Sequence, residues 1–447
     1  MPGTQRGVWG IVVHSLARNE RLFQLNEHEL LVPASGAKLV TLSTAADAVG
    51  WDYRFETTMT ATGPVAGGVL QGDVIVIGSG DPAIGGRGGD DLMSWVEAVK
   101  AQGIHRIEGR IIGDDDAFED PRPGLGWTWD DLGYVGGALF GALNLEENRM
   151  VVKVAPGSVT GAATTLEVES HAAYRPLANR SVTGASSSNQ LLWPEQRPGE
   201  PFLTIAGSIP AGAPPASLPV AVGNPTFWFS SALRSILQQN GVEVAGEAFD
   251  IDDVTPHPNR AAARPFYTYR SHTLAEIAQP MMKDSINLYA EAVFRLDATT
   301  IPRTNDAAIE GMGQRLRAWG IDRNGWQLVD GSGISRRDVV APETLALVLQ
   351  RMYDPSGTTA WMTAMPIAGR DGTLAGRMKN TIAEGNVHAK TGTMSNIRTL
   401  AGYVRTRDDE PLAFVIMVNN FEGSGAEAIA AIDAIAVRLA SFSRGGN

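Results

Sequence analysis

A chain of 447 residues, 43% hydrophobic and 19% charged, is long enough to bury a core and to divide into two to four domains. Its 49 acidic residues against 37 basic ones leave a net charge of −12 with no basic run to offset it, so neither nucleic acid nor an anionic membrane is the expected partner. The absence of cysteine excludes disulfides and thiolate chemistry and leaves the compartment open.

The opening MPGTQRGVWGIVV lacks a charged segment followed by a long apolar one, and no stretch of about 18 apolar residues occurs later, so neither a signal peptide nor a spanning helix is expected. Either a mature chain carries an added Met, or the protein stays where it is made. The β-rich runs WGIVVHSL and RLFQLN, joined by ARNE, then read as a hairpin. LVPASGAKLVTLSTAADAVG is helical, with Pro33 at its start and Gly50 as its stop. Ser35 falls in the first turn, with Lys38 three residues on and on the same face.

From about Phe55 come short β-rich runs broken by glycine, with a helical run, DDLMSWVEAVKAQG, among them. Residues 150 to 220 read as a second β-rich stretch with Ser, Thr, Gly and Pro in its loops. PTFWFSSALRSILQQNGVEV is a helix followed by a strand. In SHTLAEIAQPMMKDSINLYAEAVFRL, Thr273 and Glu276 form a capping box, Pro280 interrupts, and Asp284 or Ser285 suits the cap of a following helix. Three β-like runs follow, NVHAKTGTM, TLAGYVRT and LAFVIMVNN. A last helix is capped by Ser424 and Glu427, with Ile429, Ile432, Ile435 and Leu439 as its buried stripe. The simplest assembly joins both ends of the chain in one domain: hairpin and late runs form an antiparallel sheet, helices cover its faces, and the middle is an insertion.

Three short strings carry chemistry: Ser35-Gly36-Ala37-Lys38, Ser285-Ile286-Asn287 and Lys390-Thr391-Gly392. A serine hydroxyl becomes a useful nucleophile when a neighbouring base takes its proton, and a lysine one turn away and shielded from water can be that base. The helix start offers free N–H groups to a developing oxyanion. S-x-x-K alone arises by chance about once in a chain of this length and otherwise marks a helix cap and a solvated lysine. Ser285-x-Asn287 offers a hydroxyl to return a proton and an amide to hold a peptide carbonyl, or else a plain N-cap. Lys390, Thr391 and Thr393 on a strand suit a terminal carboxylate, and Gly392 admits close approach of a substrate backbone; otherwise they are a strand end and turn. The order of the three strings and their structural contexts distinguish them from such coincidences.

Competing motifs fall away. Ser187-Ser188-Asn189 repeats S-x-N in a Gly/Ser-rich loop with no helix after it. GSGDPA follows a strand like a dinucleotide fingerprint, but Pro82 spoils the receiving helix. Asp114 to Asp116 read as a solvated turn, and His388 as a packed or surface residue. No metal or cofactor is expected.

PASGAKLVT, GSGDP, WTWDDLGY, SINLYAE, DGSGISR, PIAGRDGTL and AKTGT together resemble the PBP4-type, low-molecular-mass class C D-alanyl-D-alanine carboxypeptidase/endopeptidases of the peptidase S13 family. The resemblance implies an α/β (α+β) penicillin-binding/β-lactamase-like transpeptidase fold, an antiparallel sheet flanked by helices, with two inserted, largely β domains. It divides the chain into a catalytic domain (1–57 and 267–447), a first insert (58–150 and 221–266) and a nested all-β insert (151–220). It also implies a Ser35 acyl-enzyme, Lys38 as base, Ser285 as relay and Asn287 on the substrate amide. Lys390, Thr391, Gly392 and Thr393 would face the carboxylate, with the N–H groups of Ser35 and Thr393 as oxyanion hole. Asp131, with Asp130 beside it, and Arg336 would read a diamino side chain. Gly136 stands where an aromatic wall is expected, with Tyr134 as its substitute, and Ile286 where a polar residue is common. The implied partners are peptidoglycan peptides and β-lactams, met outside the cytoplasm. An esterase, amidase or β-lactamase on the same fold, and an inert binding protein, are the alternatives.

Overall fold

A computed structural model describes residues 4–87, 92–119, 123–170, 172 and 176–445. The chain forms two compact units, Met1–Tyr53 with Gly124–Gly126 and Thr273–Asn447, and Arg54–Pro123 with Trp127–His272.

In the first unit the hairpin strands Val8–Ser15 and Glu20–Leu25 join Pro411–Asn419, Ile397–Arg405 and His388–Met394 in one antiparallel sheet. Its order puts Glu20–Leu25 at one edge and His388–Met394 at the other. The central strands are covered on both faces, which is why PLAFVIMVN reads as a continuous apolar run instead of an alternating one. The helix Gly425–Ala440 packs on one face. It is capped by Ser424, but its buried line is Ala428, Ile432, Ala436 and Ala440, which shares only Ile432 with the expected stripe. Small residues let the helix lie close to the sheet, and Ile429, Ile435 and Leu439 flank the line half-buried. Against the other face packs Pro342–Met352, beside the helices Lys38–Val49 and Asn287–Phe294.

Two local expectations give way. The helix Leu274–Lys283 runs through Pro280, which removes one backbone donor while its own carbonyl still accepts from Asp284 N–H at 3.1 Å. Burial of Ile277, Met281 and Met282 holds the turn together. Neither Asp284 nor Ser285 caps the next helix: Ile286 occupies the cap position without a side-chain bond, and Ser285 sits at φ +61°.

The second unit carries five-, four- and three-stranded sheets. One apolar core draws on Met59, Trp95, Val152, Leu203, Phe229 and Tyr269, with Trp95 edge-on to Phe229 at 5.3 Å. Pro225 opens the helix Pro225–Gln239 behind the Asn224 cap. The helix Met93–Ala101 forms within its expected run, whose first two residues lie outside the described ones. Of Asp114 to Asp116, only Asp116 lies exposed in a turn as expected. Asp114 ends a buried strand and pairs with Arg260 at 2.8 Å, and Asp115 is buried against Thr226. No described helix is long and apolar enough to cross a membrane.

Candidate active site

Ser35 lies in a 3₁₀ turn, Ala34–Ala37, which passes into the helix at Lys38. The turn is one step tighter than the expected α-helical start. With three residues per turn the side chains of Ser35 and Lys38 eclipse, and Lys38 Nζ donates to Ser35 Oγ at 2.9 Å. Its other bonds go to Asn287 Oδ1 at 2.7 Å and to the Ser332 carbonyl at 2.8 Å. Lys38 is completely buried.

Those two fixed acceptors decide what the amine can do. As an ammonium, Lys38 donates to all three oxygens. As a neutral amine it keeps Asn287 and Ser332 and turns its lone pair to the Ser35 hydroxyl. Burial pulls its pKa down to about 7, while Asp330, Glu291 and Asp338 pull the other way. Both forms are therefore populated near neutral pH.

Lys390, equally buried, reaches Ser285 Oγ and the Thr391 carbonyl, both at 2.8 Å. Burial, and then the nearby charge of Lys38, hold its pKa well below the usual lysine range. The first string thus meets Asn287 and the third meets Ser285, in adjoining bonds at the junction of two helices. Thr391 Oγ1 donates to Thr373 Oγ1 at 2.8 Å, and Thr393 is exposed on the same strand.

Gly392 is required by the chain itself. A β-carbon there would lie 2.4 Å from the Pro33 carbonyl oxygen and 3.1 Å from Gly36 N, so the strand can pass the serine turn only as glycine. Room for Pro33 and Gly36 is thus a requirement of the fold in addition to the expected room for a substrate.

Several residues of this site were given no role by the sequence, although Glu291 closes SINLYAE and Asp330 opens DGSGISR. Glu291, fully buried, accepts from Gly331 N–H at 3.1 Å and Ser332 N–H at 2.8 Å. Asp330 accepts from Gly333 and Ser335 N–H, and Asp338 from Val329 N–H at 2.7 Å. Burial pushes Glu291 up to about 7 and Asp338 well above the carboxylate range, with Asp330 adding to each. The available signal was a single acid, four residues after Asn287 in the otherwise apolar NLYAEAVF.

The remaining candidates stand outside this hydrogen-bonded set. Arg336 is exposed on the 330–338 loop. Asp131 belongs to the second unit, where its carboxylate accepts from the Thr128 hydroxyl at 2.5 Å; Asp130 and Tyr134 are exposed. As for metals, Asp115, Asp250 and Asp252 of the second unit bring one carboxylate oxygen each within 4.8 Å of one another.

The model of the D-Ala-D-Ala carboxypeptidase 3 (S13) family matches residues 2–441. The chain belongs to this family. It is accordingly a serine-type D-Ala-D-Ala carboxypeptidase, a hydrolase. A D-alanyl-D-alanine carboxypeptidase of Actinomadura sp. is 34% identical over 99% of this chain and 82% of its own length. The carboxypeptidase DacB of Haemophilus influenzae is 27% identical over 92% and 85%. The crystal structure of penicillin-binding protein 4 from H. influenzae superposes with a TM-score of 0.86 at 25% identity, covering 98% of this chain and 97% of that one.

Proposed function

We propose that this S13 carboxypeptidase works through a Ser35 acyl-enzyme on peptidoglycan stem peptides, as carboxypeptidase and as endopeptidase, outside the cytoplasm. One observation carries the reading: the buried Lys38 amine, with a pKa near neutrality, sits 2.9 Å from Ser35 Oγ. Ser35 Oγ attacks the carbonyl carbon of the penultimate D-Ala while the Lys38 lone pair takes the hydroxyl proton. The N–H groups of Ser35 and Thr393 receive the oxyanion. The C–N bond breaks, and the proton reaches the departing amine through Ser285. Water then cleaves the ester and restores Ser35.

Asn287 holds the substrate amide. Lys390, Thr391 and Thr393 hold the terminal carboxylate, whose charge would favour the ammonium form of Lys390. Gly392 keeps that strand against the serine turn. Asp131 and Arg336 read the side chain of the stem peptide. No cofactor enters these steps.

A β-lactam presents the same amide with its leaving group tethered, so penicillin is expected to acylate Ser35 and leave slowly. Incubation with a labelled penicillin followed by mass spectrometry tests this: the wild type gains one adduct, and Ser35→Ala gains none. An unmodified wild type, or an adduct that persists in the variant, would overturn the assignment. An adduct lost within seconds would point to a β-lactamase instead.

A further inference from the structure

We propose that Glu291 is a positioning residue for the Lys38–Ser35 pair: it fixes the 331–332 backbone that leads into the Ser332 carbonyl, the acceptor of the Lys38 amine, and when ionised supplies negative charge where that amine becomes an ammonium. The proposal rests on the acyl-enzyme reading above, in which Lys38 takes the Ser35 proton.

The geometry is a chain of three bonds. Glu291 Oε1 accepts from Ser332 N–H at 2.8 Å, and both its oxygens lie within 3.2 Å of Gly331 N. The next peptide unit, across the Ser332 Cα, carries the carbonyl that accepts from Lys38 Nζ at 2.8 Å, and its Gly333 N–H donates to Asp330 at 2.6 Å. Thr41, one turn beyond Lys38, donates to the Gly331 carbonyl at 2.7 Å. The 331–332 backbone is thus held from two helices, on one side by a hydroxyl and on the other by a carboxylate. It cannot shift without moving the acceptor that aims the amine.

Glycine at 331 and 333 makes this approach possible. A β-carbon at 331 would lie 2.4 Å from Phe294 Cβ and 2.6 Å from the Ala290 carbonyl, and one at 333 would lie 1.9 Å from the Ala34 carbonyl. The loop therefore lies directly against both the Glu291 helix and the serine turn.

Charge points the same way. The groups that face Lys38 are Glu291 from its helix, Asp330 and Asp338 from the loop, and Lys390 from the edge strand; Arg295 in turn faces Glu291. Each of the three acids favours the ammonium to the extent that it is ionised, and burial holds Glu291 and Asp338 partly or wholly protonated. Asp330 holds the N–H of the unit whose carbonyl touches the amine, and Glu291 holds the N–H groups of Gly331 and Ser332 just before it. When the Ser35 proton arrives on Lys38, the positive charge appears in a site already aligned to receive it, without rearrangement of solvent.

The test measures the rate of Ser35 acylation by a labelled penicillin as a function of pH, in wild type, Glu291→Gln and Glu291→Asp. Glutamine keeps the size and drops the charge. Aspartate keeps the charge and withdraws the oxygens from the 331–332 backbone. Acylation needs neutral Lys38, so its acidic limb reports the ammonium. Glu291 is itself raised to about 7 and so is only partly ionised where Lys38 titrates; its loss moves the limb of Glu291→Gln to lower pH by less than about one unit. The plateau rate is expected to fall roughly 100-fold through misalignment in both variants, with the limb of Glu291→Asp near its wild-type place.

Adduct stoichiometry counts the folded fraction, so the rate constant of the folded remainder is read separately from any loss of stability. Folded Glu291→Gln acylating at the wild-type rate with an unmoved limb would overturn the positioning role. Should Glu291→Gln give no folded fraction, Glu291→Asp at the wild-type rate would overturn it equally. A wild type that forms no adduct would instead defeat the acyl-enzyme reading.

Discussion

In the first unit Glu291, Asp330 and Asp338 lie buried around Lys38; in the second, Asp114, Asp115 and Asp250 lie buried around Arg260, Thr226 and Asn224. Desolvation is the largest cause at Glu291 and Asp338 as it is at Asp114, Asp115 and Asp250, and it raises each of them. The surroundings differ. Around Lys38 the acids face an amine that is itself pulled toward neutrality and that touches Ser35, so protons can redistribute among groups packed around that amine. Around Asp115 the nearest donor is a threonine hydroxyl, and the cation, Arg260, is bound to Asp114 and Asp116. On the proposed reading, the same physics tunes the base in one unit and makes folding pH-dependent in the other.

The largest expected effect breaks the first half of this comparison. Lys38→Met keeps the length and the apolar stem and removes the amine. Acylation of Ser35 by penicillin should fall roughly a thousandfold to ten-thousandfold, the range in which a positioned general base contributes. The acidic limb near pH 7 should vanish with it, because no ammonium remains to titrate. A variant that loses rate but keeps the limb would assign the base to another group.

How much of this was legible beforehand follows from distance along the chain. Ser35 and Lys38 are three residues apart, so helical geometry alone put them together, and the 3₁₀ turn only tightened the contact. The sheet was legible because its strands are whole apolar runs with polar punctuation. The Ser332 carbonyl was not, since backbone acceptors leave no mark in side-chain chemistry and this one lies 294 residues from its partner. The line of alanines on the last helix escaped because an apolar-period reading weights isoleucine and leucine, while close packing on a sheet selects small residues. The buried aspartates at 114 and 115 were misread for a related reason: three acids in a row look solvated until a strand ending at Asp114 carries it, and Asp115 just beyond it, inside.

A middle-sized effect concerns the second unit and recognition. If Asp131 reads the ammonium of a diamino side chain, Asp131→Ala should lower kcat/KM on peptides that carry it about tenfold more than on a plain acyl-D-Ala-D-Ala, the order of one charge-assisted hydrogen bond. Penicillin acylation should be unchanged. Equal losses on both peptides would remove the recognition role and leave Asp131 as the partner of Thr128 alone.

The smallest effect isolates the second half of the comparison. Burial raises the Asp115 carboxyl to about 7. Between about pH 4 and 7 the folded protein thus keeps a proton that the unfolded chain gives up, and stability falls as pH rises through that window. Asp115→Asn cannot ionise and still offers Thr226 an acceptor. Its melting temperature should match the wild type near pH 4.5 and exceed it by a few degrees at pH 8. Part of the slope should persist, because Asp114, raised to about 6, and Asp250, also raised, still titrate. Ser35 acylation should stay at the wild-type rate throughout. A pH-independent difference in melting temperature would mean that Asp115 is already ionised and adequately solvated in the fold. A change in acylation rate would mean that the buried acids of the second unit bear on the nucleophile after all, and the contrast between the two sets would fail.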